Sequence, residues 1–207
     1  MHHSSFARGL VASLLGAGLV ASSPLAAQTH GDGPVHVGIT GGISLPGGEV
    51  GEVTNTGWNA GALVSFGALD APLRFRIDGQ WNQFNGKPQV AGDRPTEYDD
   101  FRVVDATANA LYSFPSTSTA SFYVLAGAGI YAEKSTRRIG TSTTAETATR
   151  GGVNAGAGVR FQLSRVSAFV ELRYHYILRG EEITPYDFFG NGHQGMHIFP
   201  LSVGIML

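Results

Sequence analysis

Phe199-Pro200-Leu201-Ser202-Val203-Gly204-Ile205-Met206-Leu207 sets a large apolar side chain at every odd position, with mostly small partners between them. Successive residues of a strand point to opposite faces, so a period of two means a strand lying between two different environments. The same alternation recurs from Val35 onward. It predicts about eight strands, at approximately 35–45, 56–68, 73–85, 101–114, 120–133, 151–163, 165–178 and 196–207. Which environment lies on which side decides what the chain is.

The connections alternate as regularly as the side chains. Short ones fall at Leu69-Asp70-Ala71-Pro72, Pro115-Ser116-Thr117-Ser118 and Leu163-Ser164-Arg165. Long ones fall at Pro46–Asn55, Gly86–Asp100, Lys134–Arg150 and Arg179–Gly195, rich in the Gly, Pro, Thr, Asn and charge of exposed loops. An up-and-down meander of even strand number gathers the short turns at one rim and the long loops at the other. Both ends of the strand series then lie on the short-turn side.

Sorting each strand by parity yields one face without charge. It begins Val35, Val37, Ile39, Ile43, then Trp58, Ala60, Ala62, Val64, Phe66, and closes with Phe199, Leu201, Val203, Ile205, Leu207. The opposite face carries Arg74, Arg76, Asp78, Gln80, Asn82, Asp105, Thr107, Asn109, Glu133, Asn154, Arg160, Glu171, Arg173 and His175, among many glycines. The fifth strand is less tidy, because Tyr123, Leu125 and Tyr131 share that polar side.

Two arrangements satisfy this pattern. A soluble barrel binding a ligand would turn the apolar face inward, and a membrane barrel would turn it toward lipid. About eight strands enclose an interior only just filled by side chains, which suits glycines with scattered polar groups. Charged residues form 14% of the chain, against roughly 25–35% on a well-solvated surface. Trp58, Phe66, Phe75, Trp81, Phe114, Phe122 and Tyr176 fall toward strand ends, where interfacial girdles form. The expectation is an all-β, eight-stranded, antiparallel up-and-down transmembrane barrel with short periplasmic turns and long external loops. With no water to satisfy an unpaired edge, its first and last strands must pair.

The N-terminus supports export. Arg8 precedes the apolar run Gly9–Ala21, and Ser22–Ala27 resembles a small-residue cleavage region with the cut after Ala27. The run is shorter than the roughly 20 residues a spanning helix needs. The expected organisation is a secretory signal peptide over 1–27, a lead-in over 28–34 and a barrel over 35–207. Cysteine is absent, which excludes disulfides and thiolate chemistry. A net charge of −2 gives no basic surface for nucleic acid.

On these residues the chain resembles the small bacterial outer-membrane β-barrel family, of the OmpX and OmpA-membrane-domain type. The resemblance covers Val35 to Leu207 and rests on the exported N-terminus, the loop asymmetry, and Phe199, Leu201, Val203, Gly204, Ile205 and Leu207. It implies residence in the cell outer membrane among lipid and lipopolysaccharide. It also implies that the last strand is the signal read by the outer-membrane assembly machinery. Family members usually end in an aromatic residue, where this chain has Leu207.

Chemistry-bearing residues are sparse. The inward charges Arg74, Arg76, Arg160, Arg173, Asp78, Asp105, Glu133 and Glu171 are expected to form a mutual ion network, since an unpaired ion in a narrow interior is costly. Arg160 and Glu171 lie at diagonal reach across a short turn. A gated polar pore and a rigid plug both fit, and the narrow lumen favours the plug. His175 invites comparison with the base of a lipid-modifying barrel enzyme, but no serine and carboxylate are arranged with it in an obvious motif. His193 and His197 as a metal pair lack further ligands. The Thr- and Ser-rich stretch Gly140–Thr149 reads as adhesive or simply flexible, and Asp93, Glu97, Asp99 and Asp100 as a hydrated acidic loop. The reading is a non-enzymatic outer-membrane barrel with a plugged lumen, no cofactor or metal, and external loops that meet a partner or the environment.

Overall fold

The computed structural model describes residues 35–69, 71–87, 89–91, 94–97, 100–116, 119–139, 142–163, 166–178 and 195–207. Ten strands and one short helix follow in chain order: β1 Val35–Gly47, α1 Gly48–Val53, β2 Gly57–Phe66, β3 Leu73–Phe84, β4 Gln89–Ala91, β5 Arg94–Glu97, β6 Asp100–Ser113, β7 Ala120–Ile139, β8 Ser142–Leu163, β9 Val166–Ile177 and β10 Met196–Met206. Eight of them close a barrel in the order β1-β10-β9-β8-β7-β6-β3-β2, with every pair antiparallel, while β4 and β5 form a separate hairpin in the loop after β3.

Closure runs through β1 and β10, from Gly38 opposite Met206 to Gly47 opposite His197. Backbone bonds from Leu207 N–H to the Val37 carbonyl at 2.8 Å and back at 3.1 Å lock the seam at the short-turn rim. The β9–β10 ladder has rungs over Met196–Ile198 and again from Leu201, but not at Phe199 and Pro200, because proline brings no N–H.

The alternation resolves as a membrane barrel does. Val35, Val37, Ile39, Trp58, Phe75, Ile77, Phe122, Ile130, Val203, Ile205 and Leu207 are exposed on the outer wall, while the arginines and carboxylates are buried inside. The soluble arrangement, with the apolar face lining a cavity, is excluded by this orientation. Trp58 and Phe66 of β2 lie eight residues apart on that wall. At about 3.3 Å per residue and a tilt near 40° they bracket roughly 20 Å of apolar height, close to the usual belt.

Two sequence expectations need correction at the long-loop rim. The expected loop Lys134–Arg150 is largely a continuation of β7 and β8, paired from Lys134 opposite Thr147 to Ile139 opposite Ser142. The polar stretch within Gly140–Thr149 is therefore strand from Ser142 onward. Above the belt neither face meets lipid, so the apolar alternation disappears although pairing continues. The expected loop Pro46–Asn55 contains the end of β1 and α1, pinned by Thr54 Oγ1 donating to the Val50 carbonyl at 2.7 Å and Lys87 Nζ donating to the Gly51 carbonyl at 2.7 Å. Of the expected loop Arg179–Gly195, residues 179–194 lie outside the described residues, as does the segment 1–34 with its signal-peptide reading.

Candidate functional site

Among the described residues, polar chemistry is concentrated in the lumen, which is filled in three layers. At the short-turn rim Leu63, Leu111, Tyr123, Leu125, Phe169 and Met206 pack into a buried apolar cluster with Leu69 against it. At the long-loop rim Val50 of α1 joins Phe84, Val103, Tyr131, Ile177, Met196 and Ile198 in a second cluster, flanked by Phe101. Between them lies the polar layer. The three fifth-strand residues that looked out of place by parity, Tyr123, Leu125 and Tyr131, belong to these two end clusters.

The clusters exist because glycine leaves them room. A Cβ on Gly158 of β8 would lie 2.5 Å from the Tyr123 ring and hydroxyl, and one on Gly204 of β10 would lie 2.4 Å from the Phe169 ring. Bare backbone on one strand thus accommodates an inward aromatic from the next.

At the centre, four of the charged residues close a ring. Arg76 reaches Asp78 Oδ2 at 3.0 Å through Nε and Glu171 Oε1 at 2.8 Å through Nη2. Arg173 reaches Asp78 Oδ1 at 3.2 Å and also binds Glu171 Oε1. Arg76 and Asp78 stand on β3, and Glu171 and Arg173 on β9, strands four places apart in either direction around the barrel. The ring is therefore a strut across the full diameter of the lumen. Tyr123 donates to Glu171 Oε2 at 2.8 Å and Asn109 Nδ2 donates to Asp78 Oδ2 at 2.7 Å, using most of the remaining carboxylate lone pairs. This satisfaction is what permits charge in so dry a place.

A neutral belt continues from the strut. Ser202 Oγ donates to Asn59 Oδ1 at 2.8 Å, Asn59 Nδ2 donates to Ser44 Oγ at 3.1 Å, and Ser44 Oγ donates to Asn82 Oδ1 at 2.6 Å. Asn82 Nδ2 then donates to Asp105 Oδ2 at 3.3 Å. Five strands are stitched side chain to side chain by this run.

The other four charged residues occupy other levels. Arg74 and Arg160 sit near the short-turn end, where Arg160 Nη2 donates to the Leu69 carbonyl at 2.7 Å. Asp105 meets Asn82, and Glu133 lies 3.6 Å from Arg150 at the long-loop end. Glu171, expected to meet Arg160 on the diagonal, has its carboxylate engaged by Arg76, Arg173 and Tyr123. Parity fixes the face of each residue but not its height: it sets Asn59, Asn82, Asn109 and Tyr123 on the inner side without joining them to the ion network, and it leaves Ser44 and Ser202 unnamed.

His175 is completely buried in the lumen, its Nδ1 2.9 Å from the Tyr131 hydroxyl, and so it is held away from lipid. His197 faces outward, stacked on Tyr174 and 2.8 Å from its hydroxyl, while His193 lies outside the described residues. Among the described residues no three His, Cys, Asp or Glu side chains converge as a metal centre requires. Of the acidic loop, Asp93 and Asp99 are outside the described residues, Glu97 ends β5 and Asp100 begins β6.

A closed eight-stranded barrel with an apolar exterior and a side-chain-filled interior defines a membrane barrel of the smallest common size. Residues 12–198 match the model of the outer membrane protein beta-barrel domain, and the chain belongs to that family. Its place is accordingly the outer membrane. Among solved structures, Neisserial surface protein A is 18% identical with a TM-score of 0.56, over 86% of this chain and 99% of that one. OprG of Pseudomonas aeruginosa is 10% identical with a TM-score of 0.47, over 85% of this chain and 97% of that one. Ail, the attachment invasion locus protein of Yersinia pestis, is 13% identical with a TM-score of 0.45, over 84% of this chain and 100% of that one. The curated proteins give no match to this sequence. At these identities the structural likeness speaks for the fold alone.

Proposed function

We propose that the protein is a non-enzymatic outer-membrane barrel whose lumen conducts no ions and whose function is exerted at its loop-side surface. The observation that carries this reading is the filling of the lumen: an apolar cluster at each end with a diametral ion strut between them. A hydrated ion would have to displace packed aromatics twice and break paired charges in between. Such a wall serves as a rigid mount. Beyond Ile130, which is exposed on the outer wall, nine further residues of β7 run to Ile139, about 30 Å of strand at 3.3 Å per residue. The β7–β8 hairpin therefore holds a polar ribbon above the belt, suited to contact with a partner outside the cell.

In this reading the outer wall takes lipid and lipopolysaccharide. The outward row Phe199, Leu201, Val203, Ile205 and Leu207 of the seam strand is what the assembly machinery recognises. Planar-bilayer recordings on the refolded barrel test the central claim. Baseline current at all applied voltages is expected, and large stable channels would overturn it.

A further inference from the structure

Below the strut, at the short-turn end of the lumen, lies a cavity of about 10 Å³ lined by Arg74, Arg76, Arg160, Ser65, Tyr123 and apolar side chains. Its chemistry is one-sided. Arg74 is 2% exposed, and its Nε and Nη1 meet no hydrogen-bond partner among the described residues. Its Nη2 reaches only Ser113 Oγ, at 3.4 Å. The buried Ser65 hydroxyl is likewise without a partner among the described residues. Tyr123 has committed its proton to Glu171. Both carboxylates of the strut are taken by Arg76 and Arg173, and among the described residues no carboxylate lines the cavity. The Arg74 and Ser65 donors therefore face a space that holds no acceptor of matching charge among the described residues.

A guanidinium sealed from water without a counter-charge is among the costliest arrangements a protein can hold. A water molecule would satisfy hydrogen bonds but leave the charge standing. The volume suits one small particle better than a phosphate or a carboxylate ligand. We infer that the cavity is a binding site for a single monatomic anion of the halide class, held by Arg74 with Ser65 and flanked by the Arg160 and Arg76 guanidinium groups. The inference rests on the same filled lumen as the proposed function, but it is read by stability rather than by conductance, so either can fail alone.

The test is reversible unfolding of the full barrel in detergent, in sodium gluconate against sodium chloride or bromide at equal ionic strength. With Kd a tenth of the salt concentration, halide raises the folded-to-unfolded ratio roughly tenfold. Arg74→Met removes that increment and, in gluconate, is at least as stable as the natural chain. Crystals grown in bromide show an anomalous peak against Arg74. Equal stability in gluconate and halide, or an increment that survives Arg74→Met, overturns the inference. So does an Arg74→Met chain weakened equally in both salts, which would mark a packing role alone. Asp70→Asn separates a free anion from a carboxylate of the chain itself: the halide increment is expected in the natural chain as well, and its appearance only in Asp70→Asn overturns the site. Should Arg74→Met fail to refold, the bromide peak in the natural chain decides.

Discussion

Glu171→Gln is the sharpest single perturbation of the strut. The side chain keeps its shape, so packing is unchanged, but the ring passes from two cations and two anions to two cations and one anion. Glu171 Oε1 accepts from Arg76 Nη2 at 2.8 Å and from Arg173 Nε at 3.0 Å, and Oε2 accepts from Tyr123 at 2.8 Å. The amide retains one acceptor and turns its NH₂ toward donors on one side or the other. Removing one member of a buried ion network costs about 3–5 kcal/mol. With a urea slope of about 2 kcal/mol per molar, the unfolding midpoint should fall by roughly 1.5–2.5 M. Trp58 and Trp81 face outward on β2 and β3, so their fluorescence reports departure from the apolar phase directly. The companion variant replaces all four ring members, Arg76→Met, Asp78→Leu, Glu171→Leu and Arg173→Met. It should recover most of the loss, because a fully apolar core needs no charge compensation. A Glu171→Gln midpoint shift worth under about 1 kcal/mol, or a quadruple variant as weak as the single one, would refute a strut that works by charge pairing across the diameter.

Three further outcomes follow from the same geometry. Spin labels at Val64 and Val170, on the outer face of β2 and β9, should be quenched by oxygen dissolved in the bilayer and spared by aqueous reagents; the reverse would invert the wall. Gly158→Ala should cost about 1–3 kcal/mol by overpacking, since its Cβ would meet the Tyr123 ring at 2.5 Å and that ring is tethered to Glu171; thermal gel-shift midpoints measure this, and an unchanged midpoint would show the Tyr123 ring free to yield. Shortening the β7–β8 hairpin symmetrically above Lys134 and Thr147 should leave the unfolding midpoint within about 0.5 kcal/mol while abolishing any surface contact the protein makes; a large loss of stability would mean the ribbon supports the barrel.

How much of this was legible before the fold was known depends on what alternation reports. It reports a difference between two environments, and it reports nothing where the environments agree. Within the belt, Arg74, Arg76 and Asp78 could be assigned inward because Phe75 and Ile77 must meet lipid. Above the belt, Ala145 to Thr147 are exposed to solvent on both faces, so a perfectly paired strand read as a loop. Height was illegible for a different reason. Which inward residues share a level is set by the stagger between neighbouring strands, summed around the closed sheet. Parity contains no stagger, so Arg76 meeting Glu171 across the diameter, 95 residues away, was not recoverable from either strand alone. The readable clue was disorder in the pattern itself: Tyr123, Leu125 and Tyr131 broke the small-or-polar rule on the inner face because the lumen is capped as well as charged.

The three layers also explain why the seam strand cannot be exchanged for any amphipathic strand of equal length. β10 contributes Met196 and Ile198 to the outer cluster, Ser202 to the hydrogen-bonded belt, and Met206 to the inner cluster, while Gly204 clears the space for Phe169. From Leu201 onward its odd-numbered residues face lipid, so substitutions among Val, Ile and Leu there change little that the protein itself senses. Its even-numbered residues meet the three layers at fixed heights. A slip of two residues along β1 would preserve every face and the alternation of the backbone rungs yet carry Ser202 away from Asn59 and push Gly204 off Phe169. Register at the closing seam is therefore specified by the interior, and the lipid-facing pattern that reveals the strand is blind to it.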